Sequence, residues 1–112
     1  MKNLIDIPTE ITHDGTTQVK RLIKPYEQHP GNIATMNYAW LEPQKCLTPH
    51  IHVDGEEFYF FIEGSGKIQI GTNWSSVRKG DFFTIPIDKT HSVKNTGKNN
   101  LVFITIRTML QP

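Results

Sequence analysis

Hydrophobic and polar positions alternate along this chain in short runs, and Gly, Pro, Asn or Asp interrupts them at close intervals. That texture predicts strands rather than helices. Strands are expected over Gln18–Ile23, ended before Pro25, and over Ile33–Leu41, stopped by Pro43. Phe58–Ile62 follows, closed by the turn signal Glu63-Gly64-Ser65-Gly66. Lys67–Ile70 alternates polar and apolar, as a hairpin partner does. Ser76–Arg78 leads through Lys79-Gly80-Asp81 into Phe82–Ile85. His91–Asn95 and Leu101–Arg107 complete the series, separated by the polar turn at Thr96–Asn100. No segment shows a 3.6-residue stripe. Residues 8–18, with Pro8, Asp14, Gly15 and several Thr, read as a loop, and residues 1–17 as an N-terminal arm or loop. Short strands at this spacing predict an all-β sandwich or barrel.

A chain of 112 residues is expected to form a single domain over 1–112. Hydrophobic residues are 37% and charged residues 21%, ordinary for a globular protein. The net charge is +1, with no clustered Lys/Arg run, so nucleic acid and anionic membrane are not expected partners. Cys46 is the only cysteine, which excludes an internal disulfide and a thiolate metal cluster. Met1–Thr9 lacks the form of a signal peptide, and no apolar run nears the ~20 residues of a spanning helix. The expected setting is reducing and cytoplasmic. Asn73-Trp74-Ser75 fits the glycosylation sequon but reads as accidental there.

Three histidines and a glutamate carry the chemistry. His50 and His52 lie two apart, so on one strand they share a face and aim two imidazoles at one point. Glu57 follows after Asp54-Gly55, a turn that lets the chain re-enter on the next strand with a carboxylate facing the same point. His91 arrives from far along the sequence. Neutral imidazoles with a carboxylate suit a divalent first-row metal and leave room for water or substrate. His13 and His29 fall in loop-like sequence and read as ordinary histidines.

These residues sit in two motifs that resemble those of the cupin family. The first family motif runs Gly, five residues, His-x-His, a short gap, Glu, six residues, Gly. His50, His52, Glu57 and Gly64 fit it over residues 44–64. The second runs Gly, five residues, Pro-x-Gly, two residues, His, three residues, Asn. Gly80, Pro86, His91 and Asn95 fit it over residues 80–95. Gln44 and Asp88 stand where the family has glycine. Asp tolerates the left-handed region, whereas Gln44 after Pro43 predicts an altered turn. The resemblance implies a double-stranded β-helix (jelly-roll) barrel with His50, His52, Glu57 and His91 as ligands of one metal, Fe, Mn, Ni, Zn or Cu.

Tyr38, Trp40, Tyr59 and Phe103 are the aromatic candidates for a substrate pocket, and each would also serve as a packing residue. Tyr59 is a candidate acid. Phe58, Phe60 and Ile62 fall on the face opposite Tyr59, so that strand is apolar on both sides. This predicts a covered outer face, and the resemblance implies a homodimer. Cys46 reads as a packing residue. Arg107 meets an anionic substrate only if its side chain turns inward. The function expected by resemblance is metal-assisted oxygenation, isomerisation, lyase or cyclase chemistry on a small molecule. The alternative is a non-catalytic small-molecule binding or sensor barrel, since a fold does not determine function.

Overall fold

The structure, a computed structural model, describes residues 2–25 and 31–109; His29 lies outside them. Among the described residues, a short 3-10 turn at Leu4–Asp6 is followed by ten strands. They are β1 (Thr9–Thr12), β2 (Thr17–Ile23), β3 (Ile33–Leu41), β4 (Cys46–His50) and β5 (Glu57–Glu63), then β6 (Ser65–Ile70), β7 (Asn73–Arg78), β8 (Phe82–Ile85), β9 (His91–Asn95) and β10 (Leu101–Thr108). One sheet has six strands in the order β1-β2-β3-β10-β5-β8, and the other has four in the order β4-β9-β6-β7. All strand pairs are antiparallel. The two sheets enclose the core of a double-stranded β-helix.

β3, β8 and β9 have the bounds expected from their patterning. The N-terminal region does not. Within the expected loop, β1 pairs with β2 from Thr9↔Lys20 to Thr12↔Thr17. The hairpin turns through three successive positive φ angles, at His13, Asp14 and Gly15. His and Asp enter this region more readily than most residues, and Gly enters it freely. Local turn chemistry made the segment resemble a loop, but its edge pairing makes it sheet.

The inner face of the six-stranded sheet is graded along the strands. At its apolar end Val19, Ala39, Phe103 and Phe61 stand side by side on β2, β3, β10 and β5. The next inward row is Arg21, Asn37, Thr105 and Tyr59. The last is Thr35, Arg107, Glu57 and Ile85. Packing gives way to hydrogen-bonding groups over three steps. In the facing sheet, Leu47, Val93 and Ile68 form a row, and His50, His91 and Ile70 form the next.

β3 overturns one expectation. Its buried inward residues near the site are Thr35, Asn37 and Ala39, while Met36, Tyr38 and Trp40 are half-exposed on the outside. Side chains alternate with period two, and Leu41 and Ala39 in the core determine which set points in. Tyr38 and Trp40 therefore do not line the cavity. They pack against one another, edge to face, with ring centroids 6.1 Å apart.

Gln44 and Asp88 both adopt left-handed φ angles, 71° and 66°. The turn at Gln44 is thus of the glycine type, not the altered one expected. Its N–H donates to the Asn95 carbonyl at 3.2 Å, and the Asn95 N–H donates to Lys45 at 3.0 Å. Asn95 is fully buried. Its Nδ2 donates to the carbonyls of Leu41 (2.9 Å) and Asn99 (2.8 Å), and its Oδ1 accepts from the Gly97 N–H (2.8 Å). Asn95 therefore ties the β3–β4 connection to the β9–β10 turn at the end of the barrel remote from the histidines.

Candidate metal centre

β4 ends at His50, so His50 and His52 do not share a strand as the spacing suggested. His52 lies just beyond, where its carbonyl accepts from the Asp88 N–H at 2.9 Å. The segment then crosses β10 at Gly55. A Cβ there would fall on the Thr108 carbonyl oxygen, so only glycine fits. The Thr108 N–H donates to the Glu56 carbonyl at 3.0 Å, and its hydroxyl donates to the same oxygen at 3.1 Å. Glu57 is thereby delivered to the first position of β5, opposite Arg107 and Ile85. His91 opens β9 in register with His50.

Three imidazoles converge on one carboxylate oxygen. Glu57 Oε1 lies 2.9 Å from His91 Nε2, 3.4 Å from His52 Nε2 and 4.0 Å from His50 Nε2. His50 Nδ1 lies 3.0 Å from the Thr48 carbonyl and His91 Nδ1 lies 3.2 Å from the Lys89 carbonyl. A carbonyl only accepts, so each Nδ1 carries a proton and Nε2 is left to face the centre. Glu57 and His91 are buried, and His50 and His52 are partly so.

Electrostatics keep His50 neutral and Glu57 ionised. Burial, then the charge of His91, lowers His50 from its ordinary 6.5 to about 4. Burial pushes Glu57 up, but hydrogen bonds from His52 and His91 and their charges outweigh it and hold the carboxyl at about 2. A neutral imidazole and an ionised carboxylate are what a metal requires.

The donor set fits an ion. Ligands bound at ~2.1 Å to a common centre stand ~3–4 Å apart. The four ligand atoms here all lie within 4.8 Å of one another, so a small inward shift brings them into range. Glu57 Oε1 and the three Nε2 atoms face one point, the place that a cation would take. His50, His52, Glu57 and His91 thus form a group that could hold a metal ion.

A cavity of about 210 Å³ opens beside this group. Tyr59 and Phe103, both expected there, line it. Each is essentially fully buried, and their rings stack with centroids 5.6 Å apart. Burial first, and then the adjacent Glu57 carboxylate, raises Tyr59 well above its ordinary value, so it stays protonated. Arg107 does turn inward and lines the cavity.

Several lining residues escaped the sequence reading, among them Thr12, His13, Arg21, Asn37 and Thr105. His13, expected to be an isolated loop residue, stands with its ring centroid 4.8 Å from that of His50. Burial lowers its pKa, outweighing the opposing charge of Glu57. The hairpin of β1 and β2 carries it there, held by the Thr48 hydroxyl, which donates to the His13 carbonyl at 3.2 Å. Arg21 has a detectable signal: it lies two and four residues beyond Val19 and Thr17 on the same strand face.

The cupin domain family matches residues 38–107. This chain belongs to that family. The chain is 35% identical over 87 residues to the uncharacterized protein MJ1618 of Methanocaldococcus jannaschii, covering 78% of this chain and 68% of that protein. Among solved structures it superposes on a predicted oxalate decarboxylase from Thermotoga maritima with a TM-score of 0.89 at 20% identity, covering 98% and 99% of the two chains. It superposes on the polyketide cyclase RemF from Streptomyces resistomycificus with a TM-score of 0.80 at 18% identity, covering 100% and 80%. A cupin-superfamily sugar phosphate isomerase from Silicibacter pomeroyi gives 0.80 at 18% identity, covering 98% and 76%. At these identities the likeness is one of fold. No helix among the described residues is long and apolar enough to cross a membrane.

Proposed function

We propose that this cupin holds one divalent transition metal ion on His50, His52, Glu57 and His91 and uses it to act on a small molecule in the adjoining cavity. The observation that carries the reading is the convergence of three Nε2 atoms on Glu57 Oε1 inside the barrel. When bound, such an ion supplies Lewis-acid polarisation of a substrate oxygen or activation of water or dioxygen. Three nitrogens and one oxygen suit Fe, Mn, Ni, Zn or Cu.

The surrounding residues have separable tasks. Tyr59 keeps its proton and presents a hydroxyl at the junction of cavity and metal group, the position of an acid. Phe103, Val19, Ala39 and Leu47 form an apolar wall that excludes water. At about 210 Å³ the cavity is below the usual ~300–1,000 Å³ of small-molecule sites, which favours a compact substrate. Oxygenation, isomerisation, lyase and cyclase chemistry all agree with this arrangement. The names of the superposed proteins, a predicted decarboxylase, a cyclase and an isomerase, support that range.

The test is metal analysis by mass spectrometry on protein purified without an affinity-nickel step. One ion per chain is expected, with loss in His50→Ala, His91→Ala and Glu57→Ala. Iron would direct the search to oxygenase chemistry; zinc alone would count against it. No metal above background, together with a melting temperature that chelator leaves unchanged, would overturn the reading.

The outer face of the six-stranded sheet supports a further part of the proposal, a homodimer. Phe60 and Phe82 are 46% and 61% exposed, and Phe58 stacks on Phe82 with centroids 5.9 Å apart. With Tyr38 and Trp40 on the same side of the sheet, this is an apolar face that calls for cover. Cys46 lies half-buried with Sγ 3.5 Å from the Ser92 hydroxyl, consistent with a packing role in a reducing, cytoplasmic setting.

A further inference from the structure

The cavity wall is rich in donors and poor in acceptors. Arg21 and Arg107 both line it, whereas among the described lining residues Glu57 is the one carboxylate and is engaged with histidines. Arg21 Nη1 donates to Asn37 Oδ1 at 3.4 Å, and its Nε lies 3.6 Å from Glu10. Arg107 Nη1 lies 3.4 Å from Asp54. These are long contacts, and Glu10 and Asp54 are themselves 53% and 58% exposed. A guanidinium has five N–H groups, so both retain donors for a ligand. Asn37 Nδ2 donates to the Thr105 hydroxyl at 3.3 Å, which leaves that hydroxyl's own proton to donate onward. Thr12 Oγ1, also on the wall, is buried without a hydrogen-bond partner among the described residues. Buried polar atoms are rarely left so, and a ligand oxygen would satisfy this one.

We propose that the cavity is built for a small carboxylate, gripped by Arg21 and Arg107 with Asn37, Thr105 and Thr12 completing the polar wall. The two arginines sit on β2 and β10, separated only by β3 and offset by one inward row, roughly 12 Å apart at the backbone. Arginine side chains from both strands can close on one planar group, and the guanidinium fork matches a carboxylate edge to edge. Each guanidinium is partly neutralised by its exposed acid. At the arginine end a dicarboxylate such as succinate presents one singly charged group, which suits the remaining charge better than the nearly double charge that phosphate concentrates on one centre. This deepens the proposed function: the carboxylate end is held by arginine and the reacting end faces the metal group.

The experiment is calorimetric titration of succinate, its neutral analogue succinamide and inorganic phosphate. Each is titrated into metal-free and metal-loaded protein, with the metal content of every sample measured. Succinate is expected to bind both forms, and succinamide neither. Arg21→Gln and Arg107→Gln should each weaken succinate at least about tenfold, as loss of a hydrogen bond to a charged group does, with metal content unchanged. Arg21→Lys, which keeps the charge but not the fork, should fall between, and guards against misfolding of the glutamine variant. The proposal is overturned if succinate binds neither form, if phosphate binds more tightly, or if the arginine variants bind succinate as the parent does. Failure of the metal reading alone would look different: no metal in any sample, with arginine-dependent succinate binding intact in the metal-free protein.

Discussion

Lowering the pH of the metal-free protein from about 7 to about 4 should destabilise it through His50. Its side chain is 22% exposed and lies among His13, His52 and His91. Burial and the charge of His91 bring its pKa from 6.5 to about 4 in the folded state. The unfolded chain therefore binds this proton first, and unfolding takes up a proton throughout the window between those values. Stability rises with pH wherever the unfolded state holds more protons, so it must fall as the pH drops from about 6.5 to about 4. At ~1.4 kcal/mol per pH unit the whole window is worth about 3 kcal/mol. Near ~4 °C of melting temperature per kcal/mol for a domain of this size, that is a drop of about 12 °C. Denaturant unfolding followed by circular dichroism at about pH 7, 5.5 and 4 measures it directly. His13, also lowered by burial, acts in the same direction, so His50→Gln should remove most of the slope and leave a remnant. Glu57 adds nothing until the pH falls below its unfolded value of 4.5. A slope that is unchanged in His50→Gln, or stability that rises on acidification through this window, would refute the reasoning.

Three other outcomes are expected. Asn95→Ala removes three hydrogen bonds in a fully buried loop anchor and should cost about 2–3 kcal/mol in chemical denaturation, without changing metal content. Gly55→Ala forces the segment before Glu57 off the Thr108 carbonyl; it should cost about 2 kcal/mol or more and also lower metal retention, so the two readouts together separate it from Asn95→Ala. Phe60→Lys combined with Phe82→Lys should convert a homodimer to monomer in sedimentation while leaving metal content alone; an unchanged sedimentation coefficient would move the interface elsewhere.

The metal group was visible in the sequence because its residues are chemically rare in combination and the turns between them announce themselves. Asp54-Gly55 marks a bend, and the bend explains how Glu57 faces His50 and His52 after so few residues. The strand pattern was equally plain where one face packs in the core, as at His91–Asn95 and Leu101–Arg107. The pattern was less informative where the inward face lines a cavity. There the rule that apolar means inside reverses: Thr35 and Asn37 point in, and Met36, Tyr38 and Trp40 point out. A strand read by itself offers no way to tell a wet interior from a dry one. Only register with Leu41, Ala39 and Phe103 decides it.

The same reversal explains why Arg21 and His13 were passed over while Arg107 was only suspected. A charged residue on a half-buried strand is ordinarily an outward one, so its sequence context argues against the role that its geometry supports. What brings Arg21 inside is the parity of Thr17 and Val19, both in the buried row. What brings His13 inside is a hairpin whose left-handed turn resembles an unstructured arm. The four metal-group residues come from β4, the segment after it, β5 and β9, within the family's shared motifs. The residues that would grip a substrate come from β2, the β1–β2 turn, β3 and the end of β10, largely outside those motifs. A barrel of this topology can therefore keep its His-His-Glu-His group while the N-terminal hairpin and β10 change the residues that line the cavity. That division makes the hairpin, rather than the histidine cluster, the place to look for what distinguishes this cupin from its relatives.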